Sequence, residues 1–369
     1  MKRRRFLKAA GLGTLLLGGG GAASVSAARA TNSYYDGPVT DHFDGTVFFN
    51  PQGEPPKGFK ELIKWQLGGG RKRWPSAYPS THSDEPPASV DGDGLRVSFV
   101  GHATVLVQTG GLNLLTDPVW SQRASPFQWA GPKRVNDPGI DFERLPKIDA
   151  VLLSHNHYDH LDLDTLSRLR RAHDPLVVTP LGNDTIIASH DAAIRTVTGD
   201  WGDTVELGAA RPGAGVRVTF EPMHHWSARG IADRRNALWA AFVIDAGAAG
   251  KIYHIGDTGF HDGINYRDAK AKHGPFRLAI LPFGAYEPRG FMRAQHQNPD
   301  EAVRGHLLCG AEQTLGHHWG TFQLTNEAIE DQLADLETAR ETHGVPEHAF
   351  RALRPGQAWD VPVRAALSA

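Results

Sequence analysis

The run His155-Asn156-His157-Tyr158-Asp159-His160 places three imidazoles and one carboxylate within six residues. In an extended segment, side chains two residues apart point the same way, so His155, His157 and Asp159 project to one side of the chain. Buried His and Asp side chains need partners, and one divalent cation can satisfy several of them at once. A solvated polar loop is the alternative, but the density of histidines favours a metal site.

The run directly follows residues 149–154, a continuous apolar segment typical of a fully buried strand. Further strands are predicted from alternating or apolar runs at 95–100, 103–108, 112–116, 176–179, 216–222, 239–245, 251–255, 278–282 and 313–315. Helices are predicted at 59–67, 163–171, 299–308 and 326–343. Either Asp162 or Asp164 would cap the second of them. Strands mixed with helices, without a linker between them, predict one α/β domain over residues 91–355.

The first 30 residues have the character of an export signal. Arg3-Arg4-Arg5-Phe6-Leu7-Lys8 resembles the twin-arginine motif, a glycine-rich apolar run follows, and Ala28-Arg29-Ala30 is a small-x-small cleavage site. A transmembrane anchor is the alternative, which the short length of the run disfavours. We expect a twin-arginine signal peptide at 1–30, an N-terminal extension at 31–90, and a periplasmic or otherwise exported protein.

Charge and cysteine content narrow the class of protein. Removing residues 1–30 takes away six basic residues and no acidic one, so the formal charge changes from −2 to −8. An acidic chain argues against nucleic-acid binding. The single cysteine, Cys309, excludes an intramolecular disulfide, and its apolar surroundings predict a small buried side chain.

Three more polar patches follow predicted strands. They are Met223-His224-His225-Trp226, Ile255-Gly256-Asp257-Thr258-Gly259 and Gly316-His317-His318-Trp319. Open α/β sheets place their functional sites at the carboxyl ends of strands. Each patch is a weak signal alone, but together with the run at 155–160 they predict one metal centre. Either histidine of each pair could contribute to it.

The pattern His155-x-His157-x-Asp159-His160 resembles the signature of the metallo-β-lactamase superfamily. That resemblance implies an αββα sandwich, in which two β-sheets stack between outer helices. A closer similarity is to the N-acyl-phosphatidylethanolamine-hydrolysing phospholipases D and their bacterial relatives. The segments that carry it span about residues 95–325 and are 115–118, 121–126, 156–162, 256–259, 284–289, 295–296 and 318–322.

The resemblance implies two Zn²⁺ ions per chain, although iron or manganese could occupy a His/Asp site as well. One implied ligand set consists of three histidines, His155, His157 and His225. The other is mixed and consists of Asp159, His160 and His318, while Asp257 would bridge the two metals. In that family the ligand directly precedes Trp, which selects His225 over His224 and His318 over His317.

The implied chemistry is hydrolysis by a hydroxide shared between the two metals, with Asp159 and Asp257 as catalytic carboxylates. His296 would donate a proton to the leaving group or contact phosphate. Its alternative is a surface histidine that caps the following helix. Tyr286, Glu287 and Arg289 would line the substrate entrance, with Arg289 suited to phosphate. Their alternative is a loop held by an internal Glu–Arg ion pair.

The resemblance therefore predicts a zinc-dependent phosphodiesterase of the phospholipase D type. Its partner would be a small-molecule or phospholipid substrate, with peripheral membrane contact left open. A lactonase or another carbonyl-centre hydrolase is the first alternative, because the same metal site serves both chemistries. A periplasmic metal-binding protein without turnover is the second.

Overall fold

The structure is a computed structural model that describes residues 32–208 and 215–363. The predicted export signal, residues 1–30, lies outside this described part of the chain. Among the described residues, no helix combines the length and apolar character that crossing a bilayer requires.

The described residues form fourteen strands and seven α-helices, and the helices are interspersed among the strands. The strands are β1 (Leu95–Gly101), β2 (Thr104–Thr109), β3 (Leu112–Thr116), β4 (Ala150–Leu152), β5 (Leu176–Pro180), β6 (Thr196–Gly199), β7 (Thr204–Leu207), β8 (Val216–Glu221), β9 (Ala241–Asp245), β10 (Lys251–His254), β11 (Phe276–Pro282), β12 (Ala311–His317), β13 (Phe350–Ala352) and β14 (Ala358–Asp360). The helices are α1 (Phe59–Leu67), α2 (Leu163–Ala172), α3 (Asn183–His190), α4 (Ile264–His273), α5 (Arg289–Met292), α6 (Pro299–Cys309) and α7 (Ile329–His343). Every predicted element is present, and the prediction lacks α3, α4, α5, β6, β7, β13 and β14.

The strands form two mixed sheets with the same pattern of pairing. The first sheet has the order β14-β1-β2-β3-β4-β5-β6, and the second has the order β7-β8-β9-β10-β11-β12-β13. In each sheet, three antiparallel pairings are followed by three parallel ones. The two sheets therefore have the same pairing pattern, although β14 joins the first sheet from the C-terminal end of the described chain, and no fixed-period sequence repeat indicates this likeness.

Strand β2 illustrates how the sequence separates the inner core from the outer one. Val105 and Val107 belong to the large apolar cluster shared by the two sheets, whereas Leu106 belongs to the cluster between the first sheet and α2. Successive side chains of a strand point to opposite faces, so a run that is apolar at every position can fill both layers. The predicted sandwich of two sheets flanked by helices is confirmed.

Two of the helices begin at capping residues that the sequence displays. The side chain of Asp162 accepts a hydrogen bond from the backbone N–H of Thr165, so Asp162 and not Asp164 caps α2. Helix α6 starts with a capping box between Asn298 and Glu301, with Pro299 as its first residue. This box fixes the start of the helix immediately after the segment that carries His296.

The described part of the N-terminal extension packs on the domain. Phe43 and Phe48 are buried in the core shared by the two sheets. Helix α1 is held by Trp65, whose indole N–H donates to the side chain of Asn326. At the other end, β14 lies beyond residue 355 and pairs with β1. Residues outside the predicted domain limits therefore contribute to the sandwich.

Arg277, a buried residue of β11, ties the second sheet to the edge of the first. Its guanidinium donates to the carbonyl oxygens of Asp93 (2.6 Å) and Pro362 (3.0 Å). These two acceptors precede β1 and follow β14. The same group also donates to the carbonyl oxygens of Ala249 and Val361. One side chain thus satisfies four carbonyls at the junction of the two sheets.

We predict that Arg277→Met lowers the free energy of unfolding by about 3 kcal/mol, because it leaves buried carbonyls without a donor. Chemical denaturation followed by tryptophan fluorescence measures the change. Arg217→Met is the matched control, since Arg217 is exposed and pairs with an exposed Glu206. Equal denaturation curves for the two variants would contradict the role assigned to Arg277.

Candidate metal centre

The predicted ligands meet where loops leave the ends of four strands. Residues 155–160 follow β4, His225 follows β8, Asp257 follows β10 and His318 follows β12. These strands belong to both sheets, so the cluster lies where the two sheets meet. His155, His160, His225, Asp257 and His318 are each no more than 2% exposed.

Three imidazoles converge in the first group. Nε2 of His155 lies 2.9 Å from Nδ1 of His157, and Nε2 of His225 lies 3.1 Å from the same atom. The outer nitrogens are already engaged, because Nδ1 of His225 is 3.0 Å from the carbonyl oxygen of Gln295. Nδ1 of His155 is 2.9 Å from the hydroxyl of Ser154.

This arrangement directs lone pairs at one point. A carbonyl oxygen accepts only, so His225 must carry its proton on Nδ1 and present an unprotonated Nε2. His155 presents its Nε2 in the same way if its Nδ1 donates to Ser154. A single N–H on Nδ1 of His157 cannot donate to the Nε2 atoms of both His155 and His225, whereas one cation can bind all three nitrogens. The nitrogen spacing is close to the edge of about 3.3 Å that a tetrahedron with zinc–nitrogen bonds of 2.0–2.1 Å has.

The second group surrounds the carboxylate of Asp159. Its Oδ2 lies 3.1 Å from Nε2 of His318 and 3.5 Å from Nε2 of His160. His102 joins the group, with its Nε2 2.8 Å from the same oxygen. The donor atoms of these four residues lie within 4.8 Å of one another. His102 is thus a direct partner of a candidate ligand.

Asp257 lies between the two groups. Its Oδ2 is 3.2 Å from Nε2 of His160, 3.0 Å from Nε2 of His318 and 4.0 Å from Nε2 of His225. Its Oδ1 is buried and has no hydrogen-bond partner among the described residues. A carboxylate buried with an open acceptor is costly unless a cation or donor compensates it. The described residues therefore fit two divalent cations with Asp257 between them.

The protonation of the groups also suits metal binding. Burial lowers the pKa of His157 to about 3 and that of His225 to about 4, so both are neutral near pH 7. Burial likewise lowers the pKa of His318, but the carboxylates of Asp257 and Asp159 outweigh it and raise that pKa to about 9. At the His318 position, a metal must therefore displace a proton that the carboxylates hold.

A second layer, which the sequence analysis did not identify, centres on Asp117. Its fully buried carboxylate lies 2.8 Å from Nδ1 of His160 and accepts from both the N–H and the hydroxyl of Ser154, each at 2.7 Å. Since Ser154 also contacts His155, one carboxylate orients a ligand in each group. Outer partners of this kind fix the orientation and tautomer of metal-binding histidines. Its signal in the sequence is an Asp-Pro pair directly after β3.

The two remaining members of the histidine pairs lie outside these groups. The ring of His224 packs 4.0 Å from that of His261 and borders a separate cavity. His317 is fully buried beside His254, with ring centroids 5.4 Å apart. Neither belongs to a group of described residues whose donor atoms could share an ion.

His296 lies beside the cluster. It is 8% exposed, and its Nδ1 is 3.8 Å from Oδ2 of Asp257. The alternative of a surface histidine that caps α6 is wrong, because Asn298 caps that helix. Burial holds the pKa of His296 well below its ordinary value, so its imidazole is neutral.

The structure does not bring Tyr286, Glu287 and Arg289 to the cluster. The hydroxyl of Tyr286 donates to Asp335, and Tyr286 and Glu287 border a separate acidic cavity. Arg289 pairs with Glu301 at 2.7 Å. The loop is therefore held by a Glu–Arg ion pair, but the glutamate is Glu301 of α6 and not Glu287 of the same loop.

The same loop nevertheless contacts the backbone of two residues at the centre, His296 and His318. Arg289 donates from Nη1 to the carbonyl oxygen of His296 at 2.8 Å. Gly284 is the first residue of the 284–289 segment and lies against His318. A Cβ added to Gly284 would be 2.0 Å from the carbonyl oxygen of His318. His318 itself has a φ of 62°, a conformation that a non-glycine residue holds only when its surroundings enforce it.

A cavity of about 210 Å³ opens onto the cluster. Among its lining residues are His157, Asp159, Asp257 and His296. Apolar side chains form much of the remaining wall and are Leu62, Trp65, Trp226, Phe291, Met292 and Leu324. Two half-buried cations, Lys57 and Arg234, also line the cavity. Sequence analysis identified none of the wall residues, because they come from four separate loops and helices.

Comparisons with known proteins agree with this geometry. Residues 112–319 match the beta-lactamase superfamily domain. The N-acyl-phosphatidylethanolamine-hydrolyzing phospholipase D 1 of Caenorhabditis elegans is 34% identical over 345 residues, which cover 87% of this chain and 94% of that protein.

Solved structures share the fold at lower identity. A possible metal-dependent hydrolase from Veillonella parvula superposes with a TM-score of 0.57 at 14% identity, covering 72% of this chain and 99% of that one. CmlA, a diiron β-hydroxylase from Streptomyces venezuelae, superposes with a TM-score of 0.54 at 17% identity, covering 74% of this chain and 55% of that one.

We predict that His225→Ala reduces the bound metal by one ion per chain, because it removes a donor from the group of three imidazoles. His224→Ala is the matched control and should retain the wild-type metal content, since its ring contacts His261 instead. Elemental analysis of the purified variants measures the stoichiometry. Loss of metal in the His224 variant, with full content in the His225 variant, would reverse the assignment.

Proposed function

We propose that this metal-dependent hydrolase, which belongs to the metallo-β-lactamase superfamily and is similar to the N-acyl-phosphatidylethanolamine-hydrolysing phospholipases D, is a zinc-dependent phosphodiesterase. Its substrate would be a phospholipid with an N-acylated ethanolamine headgroup. Cleavage of the P–O bond to the headgroup would release phosphatidic acid and an N-acylethanolamine.

The observation that carries this proposal is the cavity above the His/Asp cluster. Its wall combines two tryptophans, a phenylalanine and three aliphatic side chains, while its base is polar. Ligand sites of this kind bind the apolar body of a molecule and orient its polar group with a few polar contacts. A phospholipid has this division between an apolar body and a phosphate. The choice of an N-acylated ethanolamine headgroup rests on the activity named for the Caenorhabditis elegans relative.

Zinc is the proposed metal because of the donor set. One group consists of three imidazoles, and the other combines imidazoles with a carboxylate, both of which are frequent zinc ligands. The likeness to a diiron enzyme shows that the fold alone does not select zinc, so the donors carry this part of the proposal. In that role, His155, His157 and His225 would hold one ion, and Asp159, His160 and His318 the other.

Bound divalent ions would lower the pKa of a water molecule to near 7 and polarise the phosphoryl oxygens. The carboxylates of Asp159 and Asp257 would share the binding of the ions, and Asp257, between the two groups, would orient the attacking water. His296 is neutral and buried beside Asp257. It would donate a hydrogen bond from its imidazole to a phosphoryl or leaving-group oxygen.

Several residues of the chain would keep that imidazole in place. The guanidinium of Arg289 donates to the carbonyl oxygen of His296 and pairs with the carboxylate of Glu301. Glu301 is in turn fixed by its capping box with Asn298. Arg289 is therefore a positioning residue in this proposal, in place of the direct phosphate contact expected from the sequence. The apolar wall would exclude bulk water from the reacting group.

We predict that the zinc-loaded mature protein releases phosphatidic acid and an N-acylethanolamine from N-acyl-phosphatidylethanolamine vesicles. Mass spectrometry of the lipid products measures both. A panel of a chromogenic phosphodiester, a lactone and a cephalosporin tests the reaction class in parallel, and only the phosphodiester should be cleaved.

The His225→Ala protein serves as the metal-poor control and should lose at least 100-fold in rate, since a missing ligand disrupts the site. Cleavage of the lactone, with no product from either phosphodiester, would replace the proposal with a carbonyl-centre hydrolase. A fully metallated protein that is inactive on the whole panel would indicate metal binding without turnover.

A further inference from the structure

Arg234 is a cation beside the candidate metal centre that the reaction described above does not use. It lies in the loop between β8 and β9 and lines the cavity together with Asp159 and Asp257. Lys57 reaches the same cavity from the N-terminal extension. Both side chains are only partly exposed.

The guanidinium of Arg234 is held in a defined place. Its Cζ lies 4.5 Å from the ring centroid of Trp226, and its Nη2 donates to the carbonyl oxygen of Lys57 at 2.8 Å. The ring of Trp226 in turn packs 4.8 Å from that of His157. One aromatic ring therefore separates this cation from a candidate metal ligand. Stacking on an aromatic face leaves the edge of a guanidinium free to bind an anion.

Arg234 has no acidic partner among residues 32–208 and 215–363, where no carboxylate oxygen approaches its guanidinium within 4.0 Å. Two other arginines near the site differ in this respect. Arg289 pairs with Glu301 at 2.7 Å, and Arg293 pairs with Glu54 at 2.9 Å. Burial and the charge of Arg235 both lower the pKa of Arg234.

Lys57 adds to this positive potential. Its Nζ lies 3.5 Å from a carboxylate oxygen of Glu54, but Glu54 also binds Arg293. One carboxylate is thus shared between two cations, and Arg234 remains unpaired beside them. A partly desolvated cation without a partner is unfavourable unless a ligand supplies the counter-charge.

The adjoining wall indicates the rest of that ligand. Trp65 and Phe291 stack with ring centroids 4.9 Å apart, and both line the cavity with Leu62. An anion that also carries an apolar chain would satisfy the unpaired arginine and cover these side chains at the same time.

We propose that Arg234 binds an anionic group of the substrate and is the residue that makes this site prefer anionic over uncharged amphiphiles. The inference rests on the proposed phosphodiesterase function and assigns its substrate selectivity to one residue. Arg234 orients the bound anion from outside the metal centre, so it contributes to substrate binding more than to the rate of bond cleavage.

Calorimetric binding of hexyl phosphate to the metal-loaded full chain tests the proposal without turnover. The wild type should bind hexyl phosphate more tightly than hexanol. Arg234→Gln should raise the Kd for hexyl phosphate by about tenfold, the loss expected for one charge-assisted contact. Arg234→Lys should recover part of the affinity. The matched control is Arg235→Gln, which removes the same charge at a neighbour that does not line the cavity.

Equal Kd values for the Arg234→Gln and Arg235→Gln variants would overturn the assignment, and so would a wild type that binds hexanol as tightly as hexyl phosphate. Steady-state kinetics on bis(p-nitrophenyl) phosphate then separates this inference from the proposed function. A raised KM with an unchanged kcat in Arg234→Gln supports the inference. A wild type that binds hexyl phosphate but cleaves no phosphodiester contradicts the proposed function and leaves the anion site supported.

Discussion

The burial of carboxylates and imidazoles where the two sheets meet is the constraint on which the rest of the structure depends. Two carboxylates and five imidazoles of the candidate ligand set meet between the sheets, and their donor atoms face one another. Without a cation this arrangement would be strongly unfavourable. Asp117 fixes the geometry from behind, because it contacts His160 directly and reaches His155 through Ser154. The loops at this edge are therefore ordered by the site as much as by the sheets.

The sandwich supplies the ligands through its duplicated topology. Each sheet ends with three parallel pairings, and the loops that leave β4, β10 and β12 at their carboxyl ends carry ligands to a common edge. Neither sheet alone holds a complete set. Contacts that join the sheets, such as those of Arg277, therefore bear on the alignment of the metal centre. The N-terminal extension takes part as well, since Trp65 and Lys57 form one side of the cavity.

Sequence patterns predicted the elements with a strong periodic or capping signal. The buried strands and α6, with its Asn-Pro start, are examples. Helix α4 was missed because only Tyr266 and Ala269 of its ten residues are buried, which leaves no apolar stripe to recognise. The three-residue strands β13 and β14 are too short to show alternation. Both sheets reach their full width only through such edge strands, which depend on tertiary pairing.

The candidate ligands were predictable because their residue types and positions at strand ends are unusual in themselves. The cavity wall was not, since Leu62, Trp226, Phe291 and Leu324 are ordinary apolar residues until folding brings them together. Arg289 differs in the other direction, because the sequence predicted it at the substrate entrance and the structure places it away from the cluster. Its chemistry suits phosphate, but Glu301 occupies its guanidinium. Arg234, with no motif around it, is the arginine that the fold leaves available.

The most direct test of this account is an anomalous-difference map from crystals of the metal-loaded protein. We expect two peaks per chain, one beside His155, His157 and His225 and the other beside Asp159, His160 and His318, with Asp257 between them. A single peak, or ions bound away from these two groups, would contradict the central claim that the junction of the sheets is a two-metal site.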